Sequence, residues 1–174
     1  PDCPVYSRCG GCSLRHIRYD EECRLKNHIV AENLRRIGGV ALELPPLLPS
    51  PAECHYRNKA QYPFTQTEDG ARGGFYASRS HRVIPYSGCA LQPEIFGEIL
   101  RFVEEFIDRY HIPVYDEENH RGLIRHLYLR RGEVSGEILL CLVINGAELP
   151  HCGQFVSSVT ARFPAIASIV LNLN

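Results

Sequence analysis

The sequence has no run of about 18 apolar residues that could cross a bilayer, and its opening Pro1-Asp2-Cys3-Pro4 is not a basic segment leading into an apolar one. Neither a membrane span nor a secretory leader is expected, so the chain reads as a cytoplasmic protein with no membrane partner. Internal repeats and low-complexity tracts are also missing, which excludes a repeat array or a compositionally biased tail. Nor is there an excess of charge: 19 Lys and Arg face 20 Asp and Glu, for a formal net charge of -1. Global charge therefore does not suggest a polyanion as partner.

What is present is one domain's worth of core and an uneven set of cysteines. With 174 residues, 44% of them hydrophobic, the chain can bury a single real core. Of its eight cysteines, Cys3, Cys9 and Cys12 fall within ten residues while the others are scattered singly. A chain this long does not need disulfide staples, so the clustering points to a metal site plus ordinary buried thiols. Cys-x5-Cys-x2-Cys on a loop containing Gly10-Gly11 lets soft thiolates turn inward, and its last pair has the spacing that meets one tetrahedral centre or adjacent irons.

A fourth ligand is needed. Cys23 and Cys141 fall on predicted apolar faces and Cys54 and Cys152 flank elements, so Cys89, after Ser87-Gly88 at a strand end, is the choice. His16 stays open as an alternative. An iron–sulfur cluster is the favoured occupant. Structural zinc, the rival, usually shows two compact Cys-x2-Cys knuckles, and this sequence has one.

Charge is segregated along the chain. Cys54 to Leu91 carries five Lys/Arg against two acids, His120 to Arg131 carries four Arg and no acid, and Gln92 to Asn119 between them holds eight acids against two Arg. A stripe of one sign can steer and hold phosphate even on a neutral protein. In the predicted strand 54–64, alternation places Arg57, Lys59 and Gln61 on one face and Tyr56, Asn58, Ala60 and Tyr62 on the other. Phe75, Tyr76, Arg79, His81 and Arg82 add aromatic and cationic groups, and Arg121, Arg125, His126, Arg130 and Arg131 extend them. Such a mixture suits single-stranded RNA, which takes stacking and backbone contacts together.

Periodicity predicts an α+β fold with helices packed on a mixed, mostly antiparallel sheet, behind an N-terminal cysteine-rich metal-binding loop. A single central domain, 1–174, divides into the loop (1–18), a helix (19–39), a proline-rich connector (40–53) and an α+β body (54–174). Cys23, Ile29, Val30, Leu34 and Ile37 form the first helix's apolar stripe, and Gly38-Gly39 stops it. Strands near 54–64, 74–77 and 82–86 form a meander. A helix over 93–110 buries Ile95, Ile99, Val103, Phe106, Ile107 and Tyr110, its acids mostly on the solvated face. Strands 123–130 and 137–144 form a hairpin, the second with no polar face and so expected to be covered on both sides. A helix over 153–162 then leads into a strand over 166–173 that pairs in parallel.

Several stretches resemble the RNA (uracil-5-)-methyltransferases, particularly the 23S ribosomal RNA branch. They are the three cysteines followed by Leu14-Arg15-His16, then Leu34-Arg35-Arg36-Ile37-Gly38-Gly39, Tyr56-Arg57-Asn58-Lys59-Ala60-Gln61, Gly74-Phe75-Tyr76-Ala77-Ser78-Arg79-Ser80-His81, Gly122-Leu123-Ile124-Arg125-His126-Leu127 and Ser168-Ile169-Val170. The resemblance implies a 4Fe-4S cluster on Cys3, Cys9, Cys12 and Cys89, in a central domain that helps grip RNA. It further implies Arg57, Lys59, Gln61, Arg79, His81, Arg82, Arg125 and His126 as RNA-binding candidates, a ribosomal RNA partner and a monomer. In the family a separate S-adenosylmethionine-binding domain performs the chemistry by covalent catalysis on an unstacked uracil. No glycine-rich cofactor turn and no cysteine in the nucleophile's context occurs here, so the expectation is a central-domain fragment, without the family's N-terminal barrel, that is inactive alone. A zinc-stabilised interaction module and a standalone redox iron–sulfur protein are the readings it competes with.

Overall fold

In the computed structural model, which describes residues 2–174, local sequence pattern explains most element choices. From Lys59 the chain alternates exposed and buried residues, Lys59 and Gln61 outward, Ala60 and Tyr62 inward, and this is strand β1 (Lys59–Thr67). Glu68-Asp69 turn it back, with Gly70 at φ 114°, where a side chain would be strained. Strands β2 (Gly70–Tyr76) and β3 (Val83–Pro85) complete an antiparallel meander. Beyond helix α2 (Glu94–Arg109), β4 (Ile124–Arg131) and β5 (Ile138–Ile144) pair as the expected hairpin. Helix α3 (Cys152–Arg162) then returns the chain to β6 (Ile166–Leu173), which pairs with β5 in parallel. One six-stranded sheet results, in the order β3-β2-β1-β4-β5-β6, mixed and mostly antiparallel.

The core lies on one face of that sheet. Tyr62, Leu127, Leu129, Leu140 and Leu142 from the strands meet Phe96, Ile99, Leu100 and Val103 of α2 and Phe155 and Val159 of α3. Each such burial contributes about 1.5–3 kcal/mol. The opposite face is partly open: it carries Lys59 and Gln61, then His126, Tyr128 and Arg130, then Leu139, Cys141 and Val143, in register across β1, β4 and β5.

Three expectations need correction. Helix α1 (Tyr19–Arg36) forms and ends three residues early, but none of its residues is buried; Ile29 is 53% and Ile37 84% exposed. Ion pairs along its own surface, Arg24–Glu21, Lys26–Glu22 and Arg35–Glu32, decorate it, and the connector meets it through Asn27 to the Pro45 carbonyl and Tyr19 Oη to the Ser50 amide. Second, β5 is covered on one face, and Leu139 stays 36% exposed on the other. Third, the first sheet strand begins at Lys59: His55 sits at φ 58°, and the 55–57 segment instead pairs with 90–91 through His55 N to Ala90 O and Arg57 N to Leu91 O. The acids of α2 are mostly solvated, as expected, with two that turn to the sheet. Glu104 is buried and accepts the Gly73 amide at 2.7 Å, while Asp108 accepts Ala71 N at 2.7 Å and pairs with Arg72.

Candidate functional site

The N-terminal loop is anchored by its own backbone. Tyr6 N donates to Cys3 O, and Arg8 N and Cys9 N both donate to Val5 O, so the chain from Cys3 to Cys9 winds in a compact turn. Cys9 then bridges Ala77, and Gly10 N donates to Tyr76 O at 3.0 Å, which lays the loop against the end of β2. A Cβ on Gly10 would stand 3.0 Å from Ser78 Cα, so a glycine suits this approach. Val5, Ala77 and Ile84 form a small separate core, with Cys3, Cys9 and Tyr86 packed on it.

Cys89 reaches the same place from the other side. Its thiol is pushed up by burial, pulled down by the Leu91 backbone and Arg57, and raised by the neighbouring Cys9 and Cys3. Cys12 is likewise raised by burial and then by Cys89, with Arg57 opposing. Cys89 and Cys9 thus act on Cys12, Cys9 and Cys3 act on Cys89, and Gly11 N donates to Cys9 Sγ at 3.4 Å. The other thiols lie apart from this set by partner or place: Cys54 meets Arg15 at 3.5 Å, Cys141 lies within β5, and exposed Cys152 opens α3. His16 Nδ1 is engaged by Tyr6 Oη at 2.7 Å. Among the described residues no three His, Cys, Asp or Glu side chains are grouped as ligands of a single metal ion.

The fit to a cluster rests on the donor set. In their chemistry, thiols with a backbone amide directed at one sulfur and a guanidinium acting on two suit thiolate-ligated iron, since hydrogen bonds and cations offset the charge on sulfur.

Arg57 is the one predicted RNA-contacting residue the fold moves most. Because the strand starts at Lys59 rather than at 54, Arg57 falls outside the row of Lys59 and Gln61, and its charge acts on Cys12 and Cys89. It also lines an open cleft of ≈ 1180 Å³ between the N-terminal loop, the start of α1 and residues 52–57. Other cations there are neutralised by neighbours: Arg15 by Asp2, Arg18 by Asp20 and Lys26 by Glu22.

Lys59 and Gln61 do share the open sheet face, opposite Arg130 and Tyr128, with Lys59 Nζ 6.0 Å from the Tyr128 ring. Tyr128 was missed from sequence, although the parity of His126 and Arg130 in β4 marks it. Phe75 belongs to the inner side, 5.3 Å from the Tyr62 ring. Arg79, His81 and Arg82 are exposed on the β2–β3 loop, where His81 stacks on Tyr76 at 5.3 Å and pairs with Glu117. Tyr76 Oη lies 3.2 Å from His126 Nε2. His126 is held below its ordinary pKa by burial and then by Arg125, with Glu117 opposing. Arg125 lies over the Tyr115 ring at 4.4 Å, a partner no periodicity would reveal.

Comparison with known proteins finds similarity to RNA methyltransferases. No family model matches the chain. An uncharacterized RNA methyltransferase of Halalkalibacterium halodurans is 40% identical over 173 residues, 99% of this chain, and one of Clostridium tetani is 34% identical over 174 residues. In each case the chain spans 38% of the relative's length. The crystal structure of Pyrococcus abyssi tRNA (uracil-54, C5)-methyltransferase, in complex with S-adenosyl-L-homocysteine, superimposes with a TM-score of 0.71 at 26% identity, covering 99% of this chain and 38% of that one. The chain is therefore related, over nearly its whole length, to one segment of RNA methyltransferases.

Proposed function

We propose that this chain is the RNA-gripping, cluster-bearing part of an S-adenosylmethionine-dependent ribosomal RNA (uracil-5-)-methyltransferase. What supports the reading is the relation of nearly the whole chain to RNA methyltransferases, together with an N-terminal cysteine loop laid against the end of β2 and a sheet face that carries Lys59, Arg130 and Tyr128. When bound, a 4Fe-4S core supplies a rigid tie between its four thiolates, each on its own iron. Arg57 offsets the charge gathered there, and the Leu91 and Gly11 amides orient sulfur. Lys59, Arg130 and the loop residues Arg79 and Arg82 hold phosphate, while Tyr128, Tyr76 and His81 offer stacking surfaces. Transfer RNA is the second reading, favoured by the substrate named for the Pyrococcus abyssi enzyme.

Anaerobic purification followed by iron, sulfide and zinc analysis tests the cluster. About four irons per chain with a broad visible band are expected, and a colourless protein loaded with zinc would sink the assignment. Titrating the same preparation with single-stranded ribosomal RNA and with transfer RNA separates the two substrate readings.

A further inference from the structure

Arg125 stands where the sheet breaks its own register. Ile124 pairs with Ile144 and His126 with Val143, so Arg125 is an extra residue with no partner on β5. Such a bulge re-aims a side chain out of the strand's alternation. The re-aimed guanidinium stands over Tyr115, its Cζ 4.4 Å from the ring centroid, and Tyr115 is positioned by its N donating to Ile124 O at 2.8 Å. The Arg125 Nε is buried with no hydrogen-bond partner. Contact with the ring restrains the guanidinium, and among the described residues no carboxylate stands within ion-pair distance of it. A cation held rigid and unpaired is costly unless something else meets it.

Beside it two loops close on each other. The β2–β3 loop brings His81 onto Tyr76, and the 116–121 loop, drawn tight by Asp116 accepting the Glu118 and Asn119 amides, brings Glu117 Oε2 to His81 Nδ1 at 2.8 Å. Tyr76 is in turn held by His126. The His81 side chain remains 80% exposed, so one ring face of this two-ring plate is open. Glu117 accepts at the edge of the His81 ring, and Arg125 precedes the His126 that holds Tyr76, which puts an acceptor and a cation on the two sides of the plate.

The neighbouring carboxylate decides the ligand class. A bare phosphate would be repelled by Glu117, whereas a flat, neutral group with donors and acceptors on its edge would use both charges. Resting on the RNA-binding reading, we propose that His81, Tyr76, Arg125 and Glu117 form a subsite for one nucleobase of single-stranded RNA, taken out of its stack. The base lies on the open face of His81, and Arg125 reads its edge.

The test is fluorescence anisotropy with the full chain, a short single-stranded RNA and the same RNA made abasic at every position. His81→Ala is expected to weaken binding of the base-bearing RNA about tenfold and to leave the abasic RNA unaffected. Arg125→Lys, which keeps charge but loses the planar fork, is expected to weaken it by about the same factor, with an unchanged melting temperature showing an intact fold. Equal losses on abasic RNA would mean a backbone site and overturn the subsite. So would wild-type affinity in both variants while Lys59→Ala still weakens binding, an outcome that leaves RNA binding standing. Failure of the wild-type chain to bind either RNA overturns both.

Discussion

Two titratable residues, one buried and one half-buried, set opposite pH dependences on this protein. Glu104 has its carboxyl pushed up by burial, with the Gly73 amide only partly offsetting it. The native state then holds a proton that the unfolded chain has released, so stability falls as pH rises from the ordinary carboxylate range through the raised value. His126 is shifted down by burial and Arg125, so the unfolded chain binds a proton first, and stability is lost as pH drops below the ordinary histidine value. Urea titrations across pH should show Glu104→Gln flattening the former slope and His126→Gln the latter. Unaltered slopes in both variants would mean that other groups carry the dependence. Sequence alone marked His126 by its charged neighbourhood but did not single out Glu104, because an acid on an amphipathic helix is buried only when a partner arrives, here a strand amide 31 residues away.

At the level of elements, the cysteine loop behaves as a strut. Its short turns fold locally, yet what holds it in place is Cys9 against Ala77, Gly10 against Tyr76 and, from the far side, the turn at Cys89. Closing so long a loop through four thiolates restrains the unfolded chain, since closure entropy grows with loop length. Cys89→Ser is expected to lower both bound iron and melting temperature; full iron content with wild-type melting would remove Cys89 from the ligand set. The same contacts join the candidate centre to the strand end that carries Tyr76. Helix α1 is the opposite case. Its apolar stripe reads like a core face, but with no element packed over it the stripe stays outside, and the helix shows salt-bridged turns of its own instead.

For the whole molecule, all six strands form one sheet with α2 and α3 on one face, and the other face keeps the cationic and aromatic row. That division leaves an open polar face rather than a second layer of core. The chain matches 38% of the length of its relatives, and we expect it to bind RNA without methylating it. Incubation with labelled S-adenosylmethionine and RNA checks this, and transfer of label to RNA by the chain alone would contradict it. Binding should weaken steeply with salt, because phosphate contacts release counterions.

Helix and strand identities were legible in the sequence because hydrophobic period is a local property: β1 from Lys59, α2, the β4–β5 hairpin and the parallel return to β6 all follow from it. The Cys-x5-Cys-x2-Cys spacing was equally plain. Long-range packing alone decided the rest. It turned Arg57 from the sheet face toward the thiols, left α1 and one side of β5 uncovered, buried Glu104, and set Arg125 on Tyr115 by a one-residue slip in register. Each of these depends on which distant backbone or ring occupies the neighbouring space, and residue order along one segment carries no record of that.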